Sequence, residues 1–557
     1  MFLPLDIDKV GSLFSINLIV GFLIIGLFNA ILILSVSYKF LQVIQQCGYN
    51  GKEYLKWLLR KDNMTFNGLT MLSLLSALGF MLINMALSFI NNYWVAYTGF
   101  SCYILFLIFY FINAFKKKDK VPLVATKRMI RLLISFIIVT VLFSFLLIIG
   151  VNLLAILFKE HLLANFRYAI LCFCPMLVPY LVLGAYYINE PLERAIIAKY
   201  VNKCKEKLKA SKNLIKIGIT GSYGKTTVKE ILREILSEKY NVIATPLSYN
   251  TPLGISKTVK RLDGNEEVFI AEMGARRVGD IKKLTEIVNP DIAIITGVVC
   301  QHLETFNKIE NIKKTKYEII ENMQNGKAVF SCDNEHTLEM YKTCNIPCVL
   351  AGVNSKKKPR VFATDIATSD MGTSFNLHIG ENTVECTTAL LGKHNVSNIC
   401  LAVAVADMLG LSLAEISSGI SRISPIKHRL ELITSNGLTI LDDSYNANPE
   451  GIKCALEVLK EFKGNKYVVT PGIVELGFME NEKNLEFGKL LSKVANGVIL
   501  VGRARTLKIR EGLLLEGYPT DKIYMVKDLE EAKSKISELA VNGDVVLFEN
   551  DLPDKYL

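Results

Sequence analysis

No two of the twelve cysteines form a C-x-x-C pair; the closest are Cys172 with Cys174, inside an apolar run, and Cys344 with Cys348. Thiols scattered in this way exclude a disulfide framework and a cysteine-ligated zinc site, and they fit a reducing compartment. The sequence also lacks aromatic residues interleaved with basic ones, and any nucleic-acid motif, so the net charge of +11 does not point to DNA or RNA. There is no internal repeat, no low-complexity tract and no LSGGQ segment of the kind transporter ATPases carry.

The most telling absence is charge. Residues 13–36, 69–90, 94–111, 132–158 and 168–188 contain no Asp, Glu, Lys or Arg. Each is about 18 residues or longer, enough to cross ~30 Å of hydrocarbon as a helix. Core helices of soluble domains rarely stay uncharged for so long five times over. Asp6 and Asp8 stand against Lys9 ahead of the first run and no small-residue cleavage site follows it, so a retained anchor is expected rather than a signal peptide. Trp94 suits the edge of a span, at the interfacial aromatic belt. The lack of charge inside the runs also argues against a transport path.

Basic residues gather on one side of these runs. Lys39, Lys52, Lys56, Arg60 and Lys61 lie between the first and second, and Lys116–Lys118, Lys120, Lys127, Arg128 and Arg131 between the third and fourth. Arg194, Lys199, Lys203, Lys205, Lys207, Lys209 and Lys212 follow the fifth. The positive-inside rule then places the N-terminus outside a plasma membrane and everything after residue 190 in the cytoplasm. The juxtamembrane charge reads as attraction to anionic lipid.

From residue 213 the pattern becomes α/β. Short apolar segments at 215–220, 268–271, 292–295 and 328–331 alternate with amphipathic stretches, as in a parallel sheet with crossover helices. Residues 361–389 alternate like strands with no helix between them, and the stretch around Pro425 suits a linker. A second alternating series follows, with strands expected at 439–441, 467–469, 498–501 and 545–548. The expected organisation is a multi-domain chain: a membrane domain over 1–190, a basic linker over 191–212, a central α/β nucleotide-binding domain over 213–425, and a Rossmann-like α/β domain over 426–557.

The segment IKIGITGSYGKTT, residues 215–227, carries the chemistry. An apolar strand enters a glycine turn that ends in Lys-Thr-Thr at the start of a helix, which is how backbone N–H groups are turned toward a nucleotide's phosphates. Gly221, Ser222, Tyr223, Gly224, Lys225, Thr226 and Thr227 are the candidate phosphate-binding residues. Lys225 would supply a point charge and Thr226 a hydroxyl for Mg²⁺. A strict G-x-x-x-x-G-K-[ST] pattern would put glycine at position 219, where this chain has Ile219. The bland alternative is a strand-turn-helix with a surface lysine.

Downstream of that loop come SYNTPLG, AEMG, PDIAIITG with HLETF, KTKYEII, GKHNVSN, HRLE, DDSYNANP and VELG, in that order. In order and spacing over about residues 213–500 the set resembles the Mur ligase family, ATP-dependent enzymes that add amino acids or a dipeptide to the peptidoglycan precursor. DDSYNANP and VELG most resemble the branch that adds D-alanyl-D-alanine. In the family's loop G-x-x-G-K-T is the usual form.

The resemblance implies an acyl phosphate made from ATP and a substrate carboxylate, then displacement of phosphate by an amine. It assigns Thr226 and Glu272 to the Mg²⁺ that accompanies ATP, and His302 to a second Mg²⁺ bridged by a carbamylated Lys316. It puts Asn395 and, more weakly, Asn398 against the nucleotide, Arg429 on the transferring phosphate, and Asp443 on ATP or on the interdomain loop. Asn446 and Asn448 are weaker candidates. Taken singly, Glu272 could be a solvated carboxylate, His302 a capping histidine, Lys316 a surface lysine, and Arg429 with Asp443 an ordinary ion pair; it is their joint order that points to a site.

The chain departs from the family in three places, the first being Tyr223, where the loop commonly has asparagine. It closes on VLFENDLPDKYL where the D-alanyl-D-alanine branch usually has a lysine-glycine-serine stretch. Membrane helices also stand where relatives carry a soluble domain that holds the UDP end of the precursor, so a lipid-linked acceptor is expected. Two other readings stay open: a membrane-bound ligase for another peptide polymer, such as a polyglutamate, and a non-catalytic nucleotide-responsive membrane protein.

Overall fold

The computed structural model describes residues 16–550, except 60–70, 88–102, 106, 109–111, 113–121, 159–168, 436, 446 and 503–505. The chain divides into two compact units, the first reaching Ile196 and the second covering Ile197–Asp551.

Three helical segments that begin in the first unit are long and apolar enough to cross a membrane: Ile16–Gln46, Lys127–Phe158 and Ile170–Ala210. Within the run at 69–90 the described residues form the apolar helix Met71–Leu87. The run at 94–111 lies almost wholly outside the described residues. The described residues therefore hold three helices long and apolar enough to cross a membrane, where the sequence suggested five.

Ile130, Ile134, Ile138, Leu142 and Leu146 are exposed at every fourth position of the helix Lys127–Phe158, an uninterrupted apolar stripe. Its opposite face packs on Ile16–Gln46 through small and polar residues. Asn29 donates to Ser144 Oγ at 3.0 Å and accepts from the Tyr103 hydroxyl at 3.0 Å. A Cβ on Gly26 would sit 3.0 Å from the Val141 carbonyl. Close backbone approach and a few hydrogen bonds are what join helices where lipid is as apolar as their side chains. The helix that begins at Cys174 continues to Ala210, so most of the expected basic linker is helical.

The second unit holds two sheets. The larger has the order β2-β3-β1-β4-β5-β6-β7-β8-β9. Its strands are β1 (Ile215–Thr220), β2 (Val242–Ala244), β3 (Val268–Glu272), β4 (Ile292–Ile295), β5 (Lys327–Ser331), β6 (Cys348–Gly352), β7 (Val361–Ser369), β8 (Gly372–Ile379) and β9 (Asn382–Thr388). The neighbours from β2 to β7 pair in parallel, and β7-β8-β9 is an antiparallel meander. Strands β3 and β4 are buried along their whole length, as expected for a parallel sheet covered on both faces.

Which face each helix covers decides where a ligand can bind. The helix after β1, Lys225–Leu236, buries Val228, Ile231, Leu232 and Ile235 in one core, with Ile217, Ile219 and the helix Lys393–Met408. The helices after β3 and β4 bury Ile281, Leu284, Ile312 and Ile319 in the other core. Strand β1 is thus flanked by neighbours whose helices leave toward the opposite face. In open α/β sheets that switch opens a crevice at the carboxyl end of the strand.

The smaller sheet has the order β10-β11-β15-β12-β13-β14. Strand β10 (Glu431–Ser435) pairs antiparallel with β11 (Leu438–Asp443), and β12 (Lys466–Thr470), β13 (Gly497–Val501), β14 (Ile523–Val526) and β15 (Val545–Glu549) complete a parallel set.

Candidate active site

The phosphate loop sits at the carboxyl end of β1. Ile219 is fully buried in the strand, in register with Glu272 of β3. The turn begins only after Thr220, which gives the shortened motif a structural reason. Gly221 (φ 151°) and Gly224 (φ 75°) take conformations that side chains resist. The loop is tied to the segment after β4. Ser222 N–H donates to the Gly297 carbonyl at 2.7 Å, and its hydroxyl both donates to the Val299 carbonyl and accepts from Val299 N–H at 3.2 Å. Tyr223 packs against Gly297, where any Cβ would overlap its ring; burial pushes its phenol well up. Thr227 is buried one residue beyond the loop's Lys-Thr pair.

A Cβ at Gly221 would overlap Thr296 Oγ1 in a backbone conformation that already disfavours one. Strain of about 1–3 kcal/mol at this position predicts nucleotide binding roughly 10- to 100-fold weaker in Gly221→Ala. A fluorescent-nucleotide titration checks this; an unchanged Kd would show that the loop does not hold phosphate through its backbone.

Lys225 begins the helix, and its ammonium donates to the carbonyls of Gly221 (2.7 Å) and Ser222 (3.3 Å). Burial lowers its pKa to about 8, with Glu272 opposing the fall and Arg429 adding to it. Thr226 Oγ1 donates to Glu272 Oε2 at 3.0 Å. Glu272, 1% exposed at the end of β3, also accepts from Lys229 Nζ at 3.3 Å and from Asn250 Nδ2 at 3.1 Å. A buried carboxylate beside a threonine hydroxyl is a pair of hard oxygen donors, and these two residues fit a Mg²⁺ ion.

His302 stands at the N-terminus of the short helix Leu303–Phe306 with φ 53°. Its Nδ1 pairs with Glu475 of the C-terminal domain. Burial lowers the imidazole's pKa while the Glu475 carboxylate opposes the fall. Lys316, on the helix Ile309–Glu321, is 3% exposed. Burial first and the Lys225 charge second hold its amine well below the usual lysine range.

Asn398 reaches the loop directly, since a Cβ on Gly224 would meet its Oδ1 at 2.8 Å. Asn395 lies one layer behind, donating to the Leu391 carbonyl at 2.9 Å and accepting from Asn398 at 3.4 Å. Arg429 lies between two residues of positive φ, His428 (60°) and Leu430 (50°), with its guanidinium 4.2 Å from the centre of the Tyr445 ring. Burial lowers its pKa; Asp443, Tyr445 and Glu272 oppose the fall. Asp443, at the end of β11, accepts from Leu430 N–H at 3.2 Å. Burial raises its pKa to about 6 against the pull of Arg429. Asn448 caps the helix Pro449–Glu461, and Asn446 lies outside the described residues.

The structure therefore brings Lys225, Thr226, Glu272, Arg429 and Asp443 around one crevice, with Lys316 and His302 beside it. It adds residues that the sequence did not single out. Lys229 follows Lys225 by one helical turn, so it shares a face with it, and Asn250 lies inside the SYNTPLG segment. Glu475 lies inside VELG. In each case the signal was present as a motif or a spacing without a role.

Residues 219–406 match the Mur ligase middle domain and residues 428–549 the Mur ligase glutamate ligase domain. The chain is 30% identical over 337 residues to the UDP-N-acetylmuramoyl-tripeptide–D-alanyl-D-alanine ligase of Bacillus subtilis, a match covering 60% of this chain and 72% of that protein. It is 30% identical to the Escherichia coli enzyme of the same name over 49% of this chain and 61% of that one. Among solved structures it is similar to MurF from Acinetobacter baumannii (27% identity, TM-score 0.58, 64% of this chain and 77% of that one). It is also similar to MurF ligase from Thermotoga maritima in complex with ADP (28%, 0.57, 64% and 80%). The chain belongs to the Mur ligase family, whose members are ATP-dependent ligases.

Proposed function

We propose that this Mur ligase forms an amide bond on a peptidoglycan precursor held at the membrane, adding D-alanyl-D-alanine or an amino acid through an acyl phosphate. One observation carries the reading. The two α/β domains meet so that Arg429 and Asp443 of one face Lys225 and Glu272 of the other, with the His302–Glu475 pair bridging them.

The chain's residues divide the work by charge. The loop N–H groups and Lys225 hold the β- and γ-phosphates of ATP, and Arg429 offers a planar fork to the transferring phosphoryl group. Thr226 and Glu272 would hold Mg²⁺, which when bound neutralises charge on the phosphates. Apposition of the two domains keeps water from the acyl phosphate and sets the amine against its carbon. The C–N bond forms as the C–O bond to phosphate breaks.

Three helical segments with the length and apolarity of membrane spans support attachment to the plasma membrane, with the ligase domains on the cytoplasmic side where ATP is found. With those helices ahead of the ligase domains, a lipid-linked acceptor is the reading we favour. Membranes containing the protein should convert a lipid-linked muramoyl peptide in the presence of ATP and D-alanyl-D-alanine or single amino acids, as read by mass analysis. Equal rates on the soluble UDP-linked peptide would remove the lipid-linked acceptor from the reading. Consumption of neither precursor would remove the peptidoglycan assignment.

A further inference from the structure

Glu549 ends β15 in register with Asp443 at the end of the neighbouring strand β11. The two strands are parallel, so both carboxylates leave the sheet on the same side, at the carboxyl edge where α/β sheets bind ligands. Glu549 is 1% exposed, and neither of its oxygens has a hydrogen-bond partner among the described residues. Burying an unpaired carboxylate is costly, and most buried polar groups in native proteins are satisfied.

Among the described residues no cation acts on Glu549. Burial and then the Asp443 carboxylate drive its acidity far down, and the Cys454 thiol also lies within its field. The Arg429 charge acts on Asp443. The backbone around Glu549 is fixed. Asn550 follows it at φ 69°, its N–H donating to the Asp443 carbonyl at 3.2 Å and its Nδ2 to the Gly472 carbonyl at 2.7 Å. Gly472 leads into the segment that carries Glu475 to His302. A rigidly held, unsatisfied carboxylate is therefore paired with a second carboxylate on the edge that faces the crevice.

We propose that Asp443 and Glu549 form the subsite that binds the ammonium group of the incoming amine substrate. This rests on the ligase reading above, because the amine is the cation that such a reaction brings to the site. Two carboxylates accept hydrogen bonds from an ammonium and cancel its charge, and the ammonium removes the repulsion between them. Arg429, whose charge also acts on Asp443, then takes the anionic phosphoryl group while the two carboxylates take the cationic amine. Glu549 thereby selects substrates that arrive with a free ammonium and disfavours N-blocked ones.

The test uses the full-length protein in detergent or native membranes, with D-alanyl-D-alanine as the probe amine and hydroxylamine to trap the acyl phosphate. Glu549→Gln keeps the shape and removes the charge. It should raise KM for D-alanyl-D-alanine 10-fold or more while the KM for ATP and the yield of trapped acyl hydroxamate stay at the wild-type level. Glu549→Asp should recover part of the loss. An unchanged KM for the dipeptide in Glu549→Gln, with trapping intact, overturns the subsite and leaves the ligase reading standing. Absence of trapped hydroxamate in the wild type overturns the ligase reading and the subsite with it. A measurement on the wild type needs no folded variant: N-methyl-D-alanyl-D-alanine, which keeps the cation, should compete with the dipeptide, and N-acetyl-D-alanyl-D-alanine should not. Equal competition by both overturns the subsite.

Discussion

Lys225→Ala is expected to lower ATP-dependent ligation about 1,000-fold, with the helical content and the membrane association of the protein unchanged. Removing one preorganised donor from a charge-stabilising site costs about 10²–10³ in rate. Lys225 lies at the upper end of that range because it is a full charge in a buried setting. Its ammonium is set between the Gly221 and Ser222 carbonyls on one side and Glu272 on the other. Arg429 depresses it from across the domain boundary, so the two cations are placed to share an anion between them. The fold does not depend on the charge, since the loop is held by Ser222 and Gly297 through the backbone. Initial rates of ADP release and of product, measured separately, check the prediction. Product formation at the wild-type rate would show that the loop is not the phosphate site.

The same loop shows how far residues alone could lead. Strand positions were legible because parallel strands covered on both faces are rich in apolar residues: 215–220 and 292–295 are β1 and β4 to the residue. The crevice was less legible. Its location depends on helices leaving β1 and β3 toward opposite faces, and no single segment encodes that. Lys229 shows the limit at the level of one side chain. In KTTVKEIL it looks like the solvated side of an amphipathic helix, yet it is fully buried on Glu272 and the Leu247 carbonyl. Asn395 was expected against the nucleotide; its amide is turned to the Leu391 carbonyl, just ahead of its own helix. The basic stretch after residue 190 looked like a linker by composition, but charge does not stop a helix, and its lysines are good helix formers. Glu549 was visible only as a departure from a family pattern; its isolation became clear once β15 was seen beside β11.

Lys316 yields the second large effect. Its amine is buried, has no hydrogen-bond partner among the described residues and lies within the field of the Lys225 charge. Both influences favour the uncharged form of the amine. An uncharged amine adds CO₂ to give a carbamate and releases one proton. The product is an anion beside Lys225 and His302, and so removes the repulsion that depressed the amine. The carbamate is also the oxygen ligand that the resemblance to Mur ligases assigns to a metal here. Arginine cannot take this path, because its guanidinium stays protonated and would bury a second fixed cation next to Lys225. Lys316→Arg and Lys316→Ala should each lower ligation by about 10²-fold or more, on the scale of losing one charge-stabilising group. Wild-type activity should fall when dissolved CO₂ is stripped from the buffer and return on adding bicarbonate, while the residual activity of either variant ignores both treatments. Wild-type rates in Lys316→Arg, or a wild-type enzyme indifferent to CO₂, would leave Lys316 as a buried lysine with no part in the reaction.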